Sequence, residues 1–485
     1  MEYSGHVAEH LATRKRVTLC DVSHMGELDF RGPDALTLVQ KLITNDASRI
    51  VDGRALYSVM CNEAGMVIDD LVCLRLSAEH FVWVVNVTKT DEDYLWVLKQ
   101  ARGLDVAVRN VSTDTALMAL QGPESREVLQ RISKADLTPL QYYRFVQTTL
   151  HTEHAAVPCI VSRTGYVGER GYEIMVERDL AMWVWDALLA AGRPLGIMPH
   201  GVAARESLRT EAGYLLNGND MDSQTNPYEA GLGWVVKLEK DFIGRDALAA
   251  IKQAGVARQL VGIEMDGQLT IRNGYAVLRE GKEIGRVRSG PLSPALCGRN
   301  LGLGYVAAEH SRVDTEIEVD VRGKRCKGRI VALPFSPRRV RDEPATAAHS
   351  PYGLRFSAAH VWARVDDSRK DTVALGLTDY GQRMLGEILC VDLPKLGTKV
   401  AKGGAAGWVD TYRKPLDILS PVDGEIVEVN ESLLARPAQI NAYPYDARAI
   451  VKLRAVSMRD LEALMSFEQY VETVRGLRSY DAWTG

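Results

Sequence analysis

The stretch that most constrains this chain is Asn62 to Leu71, Asn-Glu-Ala-Gly-Met-Val-Ile-Asp-Asp-Leu. A turn there feeds an apolar run and delivers two adjacent carboxylates, Asp69 and Asp70. If Met66 to Leu76 is a strand, successive side chains point to opposite faces, so the two carboxylates cannot enter one cavity. One of them is a candidate for chemistry, and the other needs a structural partner.

Around this stretch the pattern is mixed. Val17 to Phe30 is an apolar run, and Asp34 is a candidate cap for a helix in which Leu38, Val39, Leu42 and Ile43 recur at helical spacing. Phe81 to Val87 reads as a strand and Tyr94 to Ala101 as a helix, which together make an α+β layout. Another helix follows Gln121-Gly122-Pro123. Gly165, Gly168 and Gly171 then form a tight loop that ends in Glu173 at the start of an apolar strand. No Lys-Ser or Lys-Thr closes that loop, so it is not a phosphate-binding P-loop. Arg205 and Arg209 share a helical face, short strands dominate from about residue 260 to 331, and the basic cluster Arg338, Arg339 and Arg341 reads as a solvated end before an aperiodic linker.

The totals exclude several classes. With 59 Lys and Arg against 63 Asp and Glu, the chain has no broad basic field for nucleic acid. Its seven cysteines are scattered and never spaced Cys-x-x-Cys, which argues against a disulfide framework or a zinc site. His151 and His154 lack the spacing of a metal-binding helix, so no metal is expected, and His24 reads as a hydrogen-bonded core histidine. No apolar run is long enough to span a bilayer and no signal-peptide pattern opens the chain, so the expectation is a cytoplasmic protein without a membrane partner. The informative groups left are carboxylates, arginines and a glycine loop, a set suited to binding a polar aromatic ligand.

Eight motifs in order then carry a resemblance. They are Cys-Asp-Val-Ser-His-Met (20–25), Ala-Leu-Tyr-Ser (55–58), Gly-Met-Val-Ile-Asp-Asp-Leu (65–71), Val-Val-Asn (84–86) and Gln-Gly-Pro (121–123). Gly-Tyr-Val-Gly-Glu-Arg-Gly-Tyr-Glu (165–173), Ala-Arg-Glu-Ser-Leu-Arg-Thr-Glu-Ala-Gly (204–213) and Asp-Phe-Ile-Gly-Arg (241–245) complete the series. Over nearly all of residues 1–340 the chain resembles the glycine cleavage T-protein, the aminomethyltransferase. That resemblance implies a three-domain disc whose central hole holds tetrahydrofolate. It maps Asp69 to the carboxylate near the reacting folate nitrogens, the catalytic position, and leaves Asp70 to hold its strand. It maps Glu173 to the partner of the pterin N–H groups, a pairing that a carboxylate can make in a fork. Tyr57, Asn86, Arg205, Trp234 and Arg272 fall at the remaining folate-binding positions. T-proteins also carry a further leading segment, so this chain is expected either to be truncated or to have a more open chamber.

Residues 355–475 are similar to the glycine cleavage H-protein, through Leu375 to Pro394 and Asp417 to Asn430. This implies an all-β, flattened lipoyl-type barrel with C-terminal helices. In that family the lipoylated lysine lies eight residues before the Pro of a Ser-Pro pair; here that position is Arg413, and Lys414, the possible attachment site, is one residue out. A guanidinium cannot form the lipoyl amide, and a one-residue slip in a hairpin turns a side chain to the other face.

The expected organisation is therefore a folate-binding region at 1–255, a small β domain at 256–341, a linker at 342–354 and an H-protein-like domain at 355–485. The expected function is transfer of a one-carbon unit to tetrahydrofolate, from a lipoyl-borne or a small-molecule donor, with docking between the T-like and H-like parts. The alternative is a tetrahydrofolate-dependent demethylase or dehalogenase with the last domain as a non-lipoylated scaffold.

Overall fold

The structure is a computed structural model that describes residues 2–340, apart from 268, 297 and 337, and residues 354–475, apart from 367–368, 379, 383–387, 412–415, 436, 438–439 and 441–448. Arg413 and Lys414 lie outside the described residues. The chain divides into two compact units, Met1–Asp342 and Glu343–Gly485.

The first unit begins with two sheets. One is an antiparallel five-stranded sheet in the order Arg54–Cys61, Val67–Ser77, His80–Val85, Gly26–Arg31, Ala107–Asn110. Helices Ala35–Leu42 and Thr90–Gln100 cover one of its faces, burying Leu38, Val39, Leu42 and Val97 against Leu28, Phe30, Cys73 and Trp83. Asp34 does not cap the first of these helices; its carboxylate instead accepts the backbone N–H of Asp105 at 2.8 Å, tying two loops together. The other sheet has six strands, with Thr18–Asp21, Thr115–Gln121 and Gly171–Glu177 at its centre, and is covered by helices Ser125–Gln130 and Ala181–Gly192.

The uncovered faces of the two sheets meet. Ala55, Leu74 and Val82 from the five-stranded sheet pack with Cys20, Leu117, Ala119, Phe145 and Met175. These strands are apolar on both faces because each face is buried, by helices on one side and by the opposing sheet on the other.

A third element is a closed antiparallel barrel. Its six strands run in the order Arg258–Met265, Lys324–Val331, Glu316–Val321, Ala276–Arg279, Lys282–Ser289, Arg299–Ala307, and the last pairs back onto the first. Closure leaves those strands no free edge. Leu260, Leu303 and Tyr305 join the barrel to a cluster that also contains Val59, Val67, Leu215 and Val235. The turn before Val67 is bound into the same region: Val67 N–H donates to Thr225 O, and Gly65 lies where an added Cβ would be 3.0 Å from Leu248.

Among the described residues the second unit is β-rich, with a six-stranded and a three-stranded sheet. Val373, Leu375, Ile426 and Leu453 of the six-stranded sheet share one core with Ile388, Val391, Val409 and Ile418 of the three-stranded sheet. Helix Phe467–Arg475 closes a smaller cluster through Tyr470, which packs with Phe356 and Trp362. Tyr470 O–H is also within 2.7 Å of both His360 Nδ1 and Thr378 Oγ1.

The contact between the two sheets predicts a stability result. Leu117→Ala is expected to destabilise the first unit by about 2–5 kcal/mol, and Leu117→Met by less than about 1.5 kcal/mol. Chemical unfolding of the two variants checks this, and equal losses would contradict it.

Candidate functional site

A chamber of about 1150 Å³ lies inside the first unit. The five-stranded sheet contributes Tyr57 and Asp70 to its wall, with Asn86 just beyond strand His80–Val85, and the six-stranded sheet contributes Glu173. Tyr142, Tyr143, Thr164 and Tyr166 come from loops, while helix Val202–Glu211 and the segment after it supply Arg205, Tyr214 and Trp234. Leu260, Leu333 and Arg338 come from the barrel and the stretch after it.

The two adjacent carboxylates divide in the opposite sense to the one expected. In strand Val67–Ser77 Asp70 follows the face of Val72 and Leu74, toward the opposing sheet and the chamber, whereas Asp69 follows the helix-covered face of Leu71 and Cys73. Asp69 is fully buried and does not line the chamber. It accepts the Asn86 backbone N–H at 2.9 Å, the Asn86 side-chain amide at 2.8 Å and the Asn217 amide at 2.6 Å. Asp70 is half-buried at the chamber wall, accepting from Tyr57 O–H at 2.9 Å and from the Asn86 amide at 2.9 Å. The correction is thus that Asp69 holds the strand and Asp70 faces the cavity. A skipped pairing between Met60 and Cys61, which leaves Ile68 opposite no partner, lies immediately before the pair. Such bulges re-aim neighbouring side chains.

Burial sets the electrostatics of these groups. Asp70 is pushed up to about 7, first by burial and then by the neighbouring charge of Asp69. Asp93, on helix Thr90–Gln100, is pushed up to about 10 by burial and by Asp69, and Asp69 itself is raised by burial. Burial also raises Glu173, opposed by the hydrogen bond its carboxylate accepts from Thr164 O–H. Burial and Asp70 together keep the Tyr57 phenol protonated.

The aromatic walls are ordered stacks. Trp234, 60% exposed, stacks on Tyr57 with ring centroids 5.8 Å apart and planes 20° apart. Tyr166 stacks on Tyr214 at 5.7 Å and 14°. Arg205 lies 5.1 Å from the Tyr166 ring and Arg338 lies 4.3 Å from the Tyr214 ring, so two guanidinium groups flank the tyrosine pair. Tyr143 holds a left-handed backbone, φ 62°, and meets Tyr142 edge-on at 4.7 Å. A bulky residue with positive φ is costly and is kept only where surrounding structure imposes it.

Of the residues expected at the site, Tyr57, Asn86, Glu173, Arg205 and Trp234 line the chamber. Arg272 does not: it is exposed in a turn ahead of strand Ala276–Arg279, where Tyr275 N–H donates to its carbonyl at 3.2 Å. Arg338, expected in a solvated end, lines the chamber, and its Nε–H donates to Ala212 O at 2.6 Å. His24 is exposed toward the chamber and is no core residue; its Nε2 accepts from Arg205 Nη1 at 3.1 Å. In the glycine loop, Gly165 and Gly171 make room for Gln121, whose amide would lie 2.2 Å from a Cβ at either position. Tyr142 and Tyr143, which the sequence analysis does not single out, form part of the wall, and no spacing along the chain marks their direction.

The chamber suits a flat heteroaromatic ring that carries hydrogen-bond donors: carboxylates on two sides, stacked aromatic faces and a volume that fits a folate-sized ligand. The raised carboxyls also fix the sign of a pH effect. The folded chain holds protons on Asp70 and Asp93 that the unfolded chain releases in the ordinary carboxyl range. Their contribution is therefore complete below that range and is lost as pH rises through about 7 for Asp70 and about 10 for Asp93. Thermal unfolding is expected to show stability falling from about pH 6 to about pH 9, with a shallower fall in Asp70→Asn. An equal slope in both proteins would contradict this.

Comparison with known proteins agrees with the geometry. Family models described as GCVT N-terminal domain, Glycine cleavage T-protein C-terminal barrel domain and Glycine cleavage H-protein match residues 2–240, 258–336 and 354–476. The aminomethyltransferase of Desulfitobacterium hafniense is 44% identical over 340 residues, which cover 70% of this chain and 92% of that protein. The aminomethyltransferase of Thermotoga neapolitana is 44% identical over 341 residues, with the same coverage of 70% and 92%. The crystal structure of glycine cleavage system aminomethyltransferase T from Bartonella henselae is similar with a TM-score of 0.65 and 31% identity, covering 70% of this chain and 91% of that one. The chain belongs to the aminomethyltransferase family, the glycine cleavage T-proteins, and carries a glycine cleavage H-protein-like region after its T-protein part.

Proposed function

We infer that this protein is a tetrahydrofolate-dependent aminomethyltransferase, which passes a one-carbon unit to tetrahydrofolate. The observation that carries this reading is the chamber of the T-protein part, where Asp70 and Glu173 stand as half-buried carboxylates among stacked aromatic rings. A demethylase or dehalogenase acting on a small donor is not favoured, because relatives sharing 44% identity across the region that builds the chamber are aminomethyltransferases.

Tetrahydrofolate supplies the nitrogens that accept the one-carbon unit. Glu173 takes the paired N–H groups of the pterin in a carboxylate fork, held in place by the Thr164 hydroxyl. Tyr57 and Trp234 provide a stacking face. Arg205, fixed by His24 and the Tyr166 ring, and Arg338 hold anionic parts of the ligands. Asp70 is the base: close to neutrality it can take a proton and give it up, and the Tyr57 hydroxyl and Asn86 amide fix both of its oxygens. The chamber holds two reactants together, which lowers the entropic part of the barrier.

The donor in this reading is an aminomethyl group borne on a lipoyl arm. We read residues 354–476 of this chain as a docking or scaffold module and not as the arm itself, because Arg413 stands eight residues before Pro421 where the lipoyl lysine belongs. The arm then comes from a separate lipoylated chain. Intact-mass analysis of protein produced together with lipoylating enzymes is expected to show no lipoyl increment. An increment on Lys414 would overturn the scaffold assignment.

Asp70→Asn is expected to keep the fold and tetrahydrofolate binding but to lower turnover by about 10²- to 10⁴-fold. Glu173→Ala is expected to weaken tetrahydrofolate binding by at least about tenfold, measured by calorimetry. Wild-type turnover in Asp70→Asn would remove Asp70 from the chemistry, and unchanged binding in Glu173→Ala would remove the pterin contact.

A further inference from the structure

Behind the chamber wall lies a second carboxyl that the reaction does not touch. Asp93 sits on helix Thr90–Gln100 with no exposure, and neither of its oxygens receives a hydrogen bond from any N–H or O–H donor among the described residues. Its hydrogen-bonding neighbour is Asp69, another carboxyl with no exposure. Two buried carboxylates in contact cannot both remain ionised, and a bare carboxylate without a donor is the costlier of the two.

The distribution of donors decides which one holds the charge. Asp69 accepts three N–H bonds, from the Asn86 backbone, the Asn86 amide and the Asn217 amide, whereas Asp93 accepts none. Charge-assisted hydrogen bonds of this kind stabilise the anion. The other charged groups near Asp93 are Glu92 and Lys89 in its own chain segment, and these pair with each other at 2.7 Å. Asp70, on the strand of Asp69, is the remaining acid of the cluster.

The same Asn86 amide that binds Asp69 also donates to the Asp70 carboxylate at 2.9 Å and to the Asp70 carbonyl at 3.0 Å. The line of contacts therefore runs from Asp93 to Asp69, to Asn86, to Asp70. We propose that Asp93 is a positioning residue that bears a proton and donates it to Asp69 as a hydrogen bond, so that the Asp93–Asp69 pair locks the Asn86 amide and thereby aims Asp70 into the chamber. The effect on turnover rests on the transferase reading, whereas the proton on Asp93 does not. Its raised affinity for that proton agrees with the geometry.

Two measurements test this. The first is an infrared difference spectrum of the ligand-free full chain at about pH 8.5, wild type minus Asp93→Asn, where Asp70 and Glu27, each pushed to about 7, are ionised. It is expected to contain a protonated-carboxyl C=O band contributed by the wild type, and absence of that band overturns the proposal. The second is rescue by shape and donor: Asp93→Asn keeps an N–H for Asp69, whereas Asp93→Leu does not. Asp93→Asn is expected to retain at least about tenfold more kcat than Asp93→Leu, with the tetrahydrofolate KM of the two variants within about threefold. Equal kcat in the two variants overturns the positioning role. The infrared result needs no turnover, so a wrong transferase reading and a wrong Asp93 assignment give different outcomes.

Discussion

The structure of the chamber depends on a buried carboxyl group that does not line it. Asp69 is a fully buried carboxyl group, and a polar group so placed persists only when hydrogen-bond donors replace the lost water. Asn86 and Asn217 supply those donors from two different parts of the chain, one beyond the neighbouring strand and one beyond helix Val202–Glu211. One carboxylate thus ties the strand, the turn after its neighbour and the segment leading to Trp234 into a single arrangement. Asp70, the next residue, then points to the other face and takes its orientation from the same asparagine.

The second constraint is the shared core between the sheets. Both sheets turn a helix-covered face outward and an apolar face inward, and the inner faces bury Leu74, Val82, Leu117 and Met175 together. Tyr57 and Asp70 stand on one of these sheets and Glu173 stands on the other, so the packing of the sheets carries the ligand-binding groups to a common cavity. Sites built on strands in this way hold their groups more rigidly than sites built on loops. The loops contribute the stacked tyrosines, and there the strain at Tyr143 marks where the backbone has been forced to present a ring.

Much of this was legible in the residues. The α+β order, the strand through Asp69 and Asp70, and the helix at Ala35–Leu42 follow from apolar spacing, the helix read at Tyr94 to Ala101 begins four residues earlier, at Thr90, and eight ordered motifs identify the T-protein resemblance. What could not be read was which face each carboxylate takes. Leu71 and Val72 on the two faces are equally apolar, since both faces are buried, so the strand has no polar alternation to set its phase. Arg338 was misplaced for a related reason: a basic cluster after the last barrel strand looks solvated, and only the fold brings one of its members against Tyr214. Arg272 failed in the other direction, because a local match in sequence cannot say that its turn faces away from the cavity. His24 and the tyrosine stacks depend on contacts between distant segments, which spacing along the chain does not encode.

In the proposed reaction the chamber delivers a one-carbon unit to tetrahydrofolate from an aminomethyl donor. The most direct measurement is to incubate the full chain with tetrahydrofolate and a separate aminomethyl-lipoyl donor protein and to identify the folate product by mass spectrometry. The expected products are 5,10-methylenetetrahydrofolate and released ammonia. Formation of 5-methyltetrahydrofolate from a small methylated compound, with no product from the aminomethyl donor, would contradict this reaction.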